Sequence, residues 1–250
     1  MKIGKKIHRV PICSSTNDLA KKLAESGAEQ GEVVVCDEQT KGKGTKGRTW
    51  YSIQGKGLYF SVLLFPTRPD LSLLPFAASL AVRDGVFNEL NELISLKWPN
   101  DLVGEGLKIG GILCESSFSG RKLNYSIIGI GLNVRHKKDD FPAELQYNAG
   151  SLEMTCREKI DKERLMFVIC RYLEKWYRAF LKNEDQKILK AYLESSCYHI
   201  GDKLKVEAKG NIVSGLFQGL DKQGRMILEI SGRNQRFLSG EMNIIEVLNL

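Results

Sequence analysis

Apolar positions along the chain fall into two registers, one at helical spacing and one continuous or alternating as in strands. Ile7-His8-Arg9-Val10 reads as a strand. Ser14, Ser15 and Thr16 then offer the side-chain oxygens that favour a helix start, and Leu19, Ala20, Leu23 and Ala24 recur at helical spacing until Gly27. Val33-Val34-Val35 and Leu58 to Phe65 are apolar runs of strand length, and the Gly- and Lys-rich stretch between them predicts a long loop. A helical pattern spans Leu73 to Leu90, followed by strand-like segments at Ile94 to Trp98, Lys108 to Glu115 and Tyr125 to Val134. Asp161 opens the longest helix, with Leu165, Ile169, Tyr172, Trp176 and Phe180 as one apolar stripe. A shorter helix runs from Asp185 to Ser195, and the pair is expected to pack on the sheet.

Beyond Gly201 the texture changes to short β segments around Leu204-Lys205-Val206, Ile212 to Leu220, Met226 to Ile230 and Asn234 to Leu238, punctuated by glycines. These predict a small all-β barrel. Strands and helices before it show no regular βαβ alternation, which argues for an α+β class: a mixed β-sheet packed by helices over residues 1–198, then the barrel over residues 199–250.

Composition narrows the function classes. With 42% hydrophobic and 27% charged residues and no apolar run of bilayer length, this is the profile of a soluble globular protein, not a membrane-spanning one. Met1 to Arg9 is basic but leads into no apolar segment, so a cytoplasmic location is expected. The six cysteines, at 13, 36, 114, 156, 170 and 197, form no C-x-x-C pair, which argues against a zinc site or disulfide framework and for buried thiols. The net charge of +7 suits a nucleotide, a nucleic acid or an acidic protein without choosing among them.

Candidate chemistry begins in the loop Lys41-Gly-Lys-Gly-Thr-Lys-Gly-Arg-Thr-Trp50. Its glycines let backbone amides approach a phosphate, and Lys43, Lys46 and Arg48 add positive charge. Gly42, Gly44 and Gly47 satisfy G-x-G-x-x-G, but the flanking strand, helix and acidic residue of a dinucleotide site are missing. A P-loop is within one residue, yet Trp50-Tyr51-Ser52 leads toward a strand instead of a helix. Three further features follow: Lys97-Trp98-Pro99-Asn100-Asp101 at a strand end, Lys108-Ile109-Gly110-Gly111-Ile112-Leu113, and Gly129-Ile130-Gly131-Leu132-Asn133-Val134. Alone, each has a bland explanation: a solvated loop, a proline turn, a β-bulge, or glycines packed against a helix.

In this order and spacing, from Ser15-Thr16-Asn17 and Gln39 through Trp50 to Asn133, the four features resemble the biotin protein ligases, also called biotin–acetyl-CoA-carboxylase ligases. The C-terminal β region is similar to that family's SH3-like domain, down to Ser239-Gly240-Glu241. The resemblance implies that biotin and ATP give biotinyl-5′-AMP and pyrophosphate, with Mg²⁺ assisting. An acceptor lysine of a biotin carboxyl carrier protein or domain then attacks the mixed anhydride.

The implied catalytic residues are Lys108, Arg48 and Asp101. Lys108 would bridge the biotin carboxylate and the α-phosphate; Asp101 would deprotonate or orient the acceptor lysine, or help hold Mg²⁺. For biotin, the resemblance implies Ser15, Thr16 and Gln39 at the ureido ring, backbone contacts from Gly110 and Gly111, and an apolar wall at Trp50, with Asn17 a further ligand-binding candidate. For the adenylate it implies Gly42, Lys43, Gly44, Thr45, Lys46 and Gly47 in a loop mobile until it closes, and Asn133 on adenine; Lys97 and Asn100 are ligand-binding candidates with no part of the ligand assigned.

One departure stands out. Where many members carry arginines, this chain has Lys43, Thr45 and Lys46, and Thr45 either loosens retention of the intermediate or is compensated elsewhere. Ser15 follows so closely on Met1 that no helix-turn-helix domain fits before it, so no DNA partner is expected, while a homodimer stays open. The nearest competing reading is a lipoate or octanoate ligase. A nucleic-acid-binding protein is the reading from another class, without a recognition helix to support it.

Overall fold

The structure is a computed structural model and describes residues 2–156, 158–208, 210–238 and 242–248; Ser239-Gly240-Glu241 lie outside the described residues. Seven strands form the larger sheet: β1 (Ile7–Cys13), β2 (Val33–Gln39), β3 (Gly57–Leu64), β4 (Ser95–Lys97), β5 (Asp101–Gly104), β6 (Leu107–Ser119) and β7 (Lys122–Asn133). Their spatial order is β1-β2-β3-β7-β6-β5-β4, parallel between β1 and β2 and antiparallel elsewhere.

Alternation along the strands assigns the faces. Leu58, Phe60, Val62 and Leu64 of β3 and Ile128, Ile130 and Leu132 of β7 turn into the main core, joined there by helix α2 (Leu74–Leu90) and helix α4 (Lys162–Leu181). The opposite face is only partly covered. Helix α1 (Thr16–Glu25) lays Ala20 and Leu23 against Val34, Leu63, Tyr125 and Ile127 and leaves the rest of that face open.

The long helix starts where the sequence places it: the Asp161 carboxylate accepts from the Glu163 and Arg164 amides. Its stripe differs in one member. Leu173 is fully buried, while Tyr172 sits half-buried at the rim with the Lys175 ammonium 5.4 Å from its ring. The expectation that this helix rests on the sheet with its shorter neighbour, helix α5 (Asp185–Glu194), also needs revision, because α4 packs chiefly along α2.

Three elements were missed. Helix α3 (Leu152–Cys156) is too short for a periodic signal. Strand β5 has four residues right after Pro99, so Asn100 and Asp101 do not end a strand; Asp101 opens β5 opposite Lys97. The third belongs to the C-terminal sheet, β8 (Lys203–Ala208), β9 (Asn211–Leu220), β10 (Met226–Ile230), β11 (Arg233–Phe237) and β12 (Met242–Leu248). There β12 is a fifth strand paired with β8, giving the antiparallel order β11-β10-β9-β8-β12 of an SH3-like unit. Leu204, Phe217, Met226 and Leu228 of this sheet belong to the same apolar core as α2 and the larger sheet.

Close packing of α2 on α4 is testable at Gly85. Replacing a helical glycine by alanine normally stabilises by about 0.5–1 kcal/mol, but a Cβ here would stand 2.8 Å from Ile169 Cγ1 and 3.0 Å from its Cα. Gly85→Ala is therefore expected to destabilise by about 1–3 kcal/mol, read from the urea midpoint. A raised midpoint would show that the two helices are not in firm contact.

Candidate functional site

The uncovered part of the sheet is a cavity of about 240 Å³, walled by the start of α1, the end of β2, the Gly-rich loop, the β5–β6 edge, the glycine side of β7 and the segment 141–149. Fourteen of the residues singled out from sequence line it: Ser15, Thr16, Asn17, Gln39, Lys43, Gly44, Thr45, Arg48, Trp50, Asn100, Asp101, Lys108, Gly111 and Asn133.

Ser15 is the N-cap of α1 in extended conformation, but its hydroxyl makes no capping bond. Its neighbours are fully engaged. The Thr16 amide and hydroxyl both donate to Gln39 Oε1, at 2.8 and 3.1 Å. The Ser61 hydroxyl lies 2.7 Å from Thr16 Oγ1 and 2.6 Å from Asn17 Oδ1, and Asn17 Nδ2 donates to Glu115 at 2.6 Å. Thr16, Asn17 and Gln39 thus form a fixed polar corner, because each buried polar atom has a partner whose loss would cost its desolvation.

The Gly-rich loop is a small hairpin. Trp50 N donates to Gly42 O at 2.9 Å and Gly44 N to Arg48 O at 2.7 Å, closed by a 3₁₀ turn over Thr45–Gly47 in which Lys46 and Gly47 both have positive φ. A Cβ on Gly42 would come 2.6 Å from Trp50 O, so this glycine serves the hairpin itself. With the loop in this conformation, Gly42, Lys46 and Gly47 do not line the cavity. Lys43 does, paired with Asp18 of α1, an interaction that raises its pKa. Arg48 makes only long contacts to Thr45, 3.4 Å to the carbonyl and 3.5 Å to the hydroxyl.

The Trp50 indole lies across paired glycines of two strands. A Cβ on Gly131 would be 2.8 Å from Trp50 Cε2, and one on Gly111 3.5 Å from Cζ3. Gly129 meets the Asn17 side chain in the same way. Hence the glycines of β7 open room for other side chains of the protein: Gly129 for Asn17 of helix α1, as the packing reading expects, and Gly131 for the Trp50 indole of the loop. Gly110 is outside the lining, and its absent side chain would point to Leu132 and Leu102 on the core face. Lys97 also stays outside the lining, because the hairpin after β4 turns only Asn100 and Asp101 inward.

At the far wall the Lys108 ammonium is 2.5 Å from Asp101 Oδ1 and 5.9 Å from the Trp50 ring centre. Asn100 exchanges two bonds with Ile112, fixing β5 to β6. Backbone bonds from Lys108 N to Asn148 O and from Gly150 N to Lys108 O tie this lysine to the segment after β7, which Asn133 also holds, donating to Gly150 O at 3.0 Å. Asn133 therefore spends one amide proton on the backbone. That segment brings Phe141, Leu145, Asn148 and Ala149 to the cavity, and sequence reading missed all four. The available signal was negative: residues 135–150 carry no helical or strand period, and long irregular segments in compact domains are commonly functional.

Chemically, the site offers an apolar slot under an indole, a polar corner at one end with Lys43 beside it on Asp18, the Lys108 ammonium toward the other, and the Arg48 guanidinium from the Gly-rich hairpin. Among the described residues no group of three His, Cys, Asp or Glu side chains is arranged to hold a metal, and no helix is long and apolar enough to cross a membrane.

Residues 10–133 match the biotin/lipoate A/B protein ligase family, the class that this sheet and cavity define. Residues 199–243 match the biotin protein ligase C-terminal domain. The bifunctional ligase/repressor BirA of Bacillus spizizenii is 34% identical over 238 residues, which span 93% of this chain and 72% of that protein. The biotin–[acetyl-CoA-carboxylase] ligase of Mycobacterium tuberculosis is 30% identical over 240 residues, 91% of this chain and 85% of its own. The biotin protein ligase of Aquifex aeolicus, solved with biotin and ATP, superposes with a TM-score of 0.82 at 26% identity, covering 96% of this chain and 99% of that one. The chain belongs to the biotin protein ligase family.

Phe141 is backed by His136, stacked on it at 5.1 Å between ring centres and almost wholly buried. Burial lowers its pKa to about 4, with Lys56 and Lys162 acting in the same sense and Asp140 opposing. In the unfolded chain a histidine titrates near 6.5. The neutral form's contribution is therefore complete above about pH 6.5 and is lost as pH falls toward 4, roughly 3 kcal/mol in all at about 1.4 kcal/mol per unit. His136→Leu should flatten this acid limb in urea titrations; an unchanged limb would assign it to other groups.

Proposed function

We propose that this protein activates biotin with ATP and transfers it to a lysine of a biotin carboxyl carrier protein or domain, and that the cavity under Trp50 is where both steps occur. The carrying observation is the Lys108–Asp101 pair, 2.5 Å apart, at the end of an apolar slot whose other end is the Thr16–Gln39 corner. A slot of this kind suits a ligand with an apolar body, a hydrogen-bonding ring at one end and a carboxylate at the other.

In the first step the biotin carboxylate oxygen bonds to the α-phosphorus of ATP, the bond to the β-phosphate oxygen breaks, and pyrophosphate leaves. Two anions must approach, and Lys108, with Arg48 and Lys43, supplies fixed positive charge where charge accumulates. In the second step the amine of the acceptor lysine attacks the acyl carbon of biotinyl-5′-AMP, an amide forms and AMP leaves. Asp101 is placed to take the amine's proton or orient it once Lys108 has turned to the phosphate. Ser15, whose hydroxyl is free of capping duty, joins Thr16, Asn17 and Gln39 at the ureido ring, and Asn133 keeps Oδ1 and one amide proton for adenine.

Mg²⁺ binds nucleotides through phosphates and few protein carboxylates, and Asp101, with Asn100 beside it, fits that modest requirement. When bound, the ion offsets phosphate charge. The boundary between the ligase unit and the SH3-like unit is set at 198/199, and the enzyme is assigned to the cytoplasm.

Pyrophosphate release from MgATP, measured with biotin, with lipoate and with neither, tests the reading. Release should require biotin and fall at least about 100-fold in Lys108→Ala, the cost typical of losing one preorganised donor to developing charge. Release with lipoate alone would move the substrate to the sister class; release with neither would remove the ligase reading.

A further inference from the structure

We propose that the C-terminal sheet serves the reaction by holding the β4–β5 hairpin in place, with Trp98 and Gly224 as positioning residues; the inference rests on the ligase reading above. That hairpin, Trp98-Pro99-Asn100, delivers Asn100 and Asp101 to the cavity. On the β6 side Asn100 and Asp101 are held, by the Asn100–Ile112 bonds and the Asp101–Gly111 pairing. The other side is weaker: β4 has only three residues and is the edge strand of the larger sheet.

Two contacts from the C-terminal side supply the missing restraint. The chain between α5 and β8 runs along the free edge of β4, with Leu96 N donating to Ser195 O at 2.8 Å and Cys197 N to Leu96 O at 3.0 Å. The turn between β9 and β10 then meets the hairpin from below. Trp98 Nε1 donates to Gly224 O at 2.9 Å in a buried bond. This turn is rigid, because Asp221 accepts from the amides of Gln223 and Arg225 and from the Arg225 side chain. It is also tightly seated. Gly224 has φ +74, and a Cβ on it would stand 2.7 Å from the Phe76 ring and 3.1 Å from Leu73 Cδ2.

Trp98 does not line the cavity, and its indole N–H makes its bond to the C-terminal turn. The buried indole fills space in the core, and its N–H is the part that binds the turn. The mechanical order is therefore Gly224, Trp98, Asp101, Lys108. The junction also lies within electrostatic reach of the site: burial raises the pKa of Tyr198, whose ring packs edge-on against Phe217 of β9, and the Asp101 charge adds to that shift. By contrast, Ser15, Thr16 and Gln39 stand on α1 and β2 and do not depend on this hairpin.

Full-length wild type, Trp98→Phe and Gly224→Ala are compared in biotin-dependent pyrophosphate release, with biotin affinity from calorimetry and Tm from thermal unfolding. Displacing a reacting group by about 1 Å can cost on the order of 100-fold. Both variants should lose kcat by roughly 10- to 100-fold while KM and Kd for biotin stay near wild type. If kcat is retained, or if it falls only in proportion to the folded fraction, or if biotin affinity falls as far as kcat does, the positioning role is overturned. Should Gly224→Ala not fold, Trp98→Phe decides alone: it removes the donor together with part of the indole's volume, and the Tm read beside kcat separates lost packing from lost positioning. An inactive wild type refutes the ligase reading; an active wild type with unaffected variants refutes this inference only.

Discussion

Successive residues of a strand point to opposite faces, so β7 must satisfy two unlike neighbours at once. Ile128, Ile130 and Leu132 lock it into the core beneath α2 and α4, while Gly129 and Gly131 present bare backbone to Asn17 and Trp50. Everything in the cavity depends on that arrangement. The indole can lie flat only because β6 offers Gly111 opposite Gly131, and the polar corner can approach only because nothing projects from position 129. A register shift of one residue would exchange the faces, placing isoleucines where the ligand goes.

Those glycines were visible in the sequence; their purpose was not. Spacing alone does not show what packs at Gly129 and Gly131, and the answer is residues more than 80 positions away along the chain, Asn17 and Trp50. The long periodic elements were readable for the opposite reason, since α4 and β7 declare themselves through local repetition. Strand β5 and the wall around Phe141 carry no repetition and take their places from partners elsewhere in the chain. Gly110 illustrates a subtler limit: beside Gly111 it looks equivalent, yet the pleat sends it to the other face.

The two units of the chain are likewise harder to separate in space than in sequence. A change of texture after Gly201 suggests a detachable module, but Leu204, Phe217 and Met226 share one apolar core with Leu73 and Phe76 of the larger unit. Burial of this kind is non-directional and so leaves no motif; it becomes visible only when both surfaces are present.

The chain's positive charge also looks different at atomic scale. Lys43 meets the cavity already matched by Asp18, and Lys108 by Asp101. A polyanion that reached these two lysines would take over cations whose carboxylates must be released, a substitution in which charge is exchanged instead of simply neutralised, whereas Arg48 has no ion-pair partner among the described residues. Such a site discriminates by geometry more than by attraction. The excess of lysine and arginine elsewhere on the surface is left to act on partners at a distance, where ionic strength screens it.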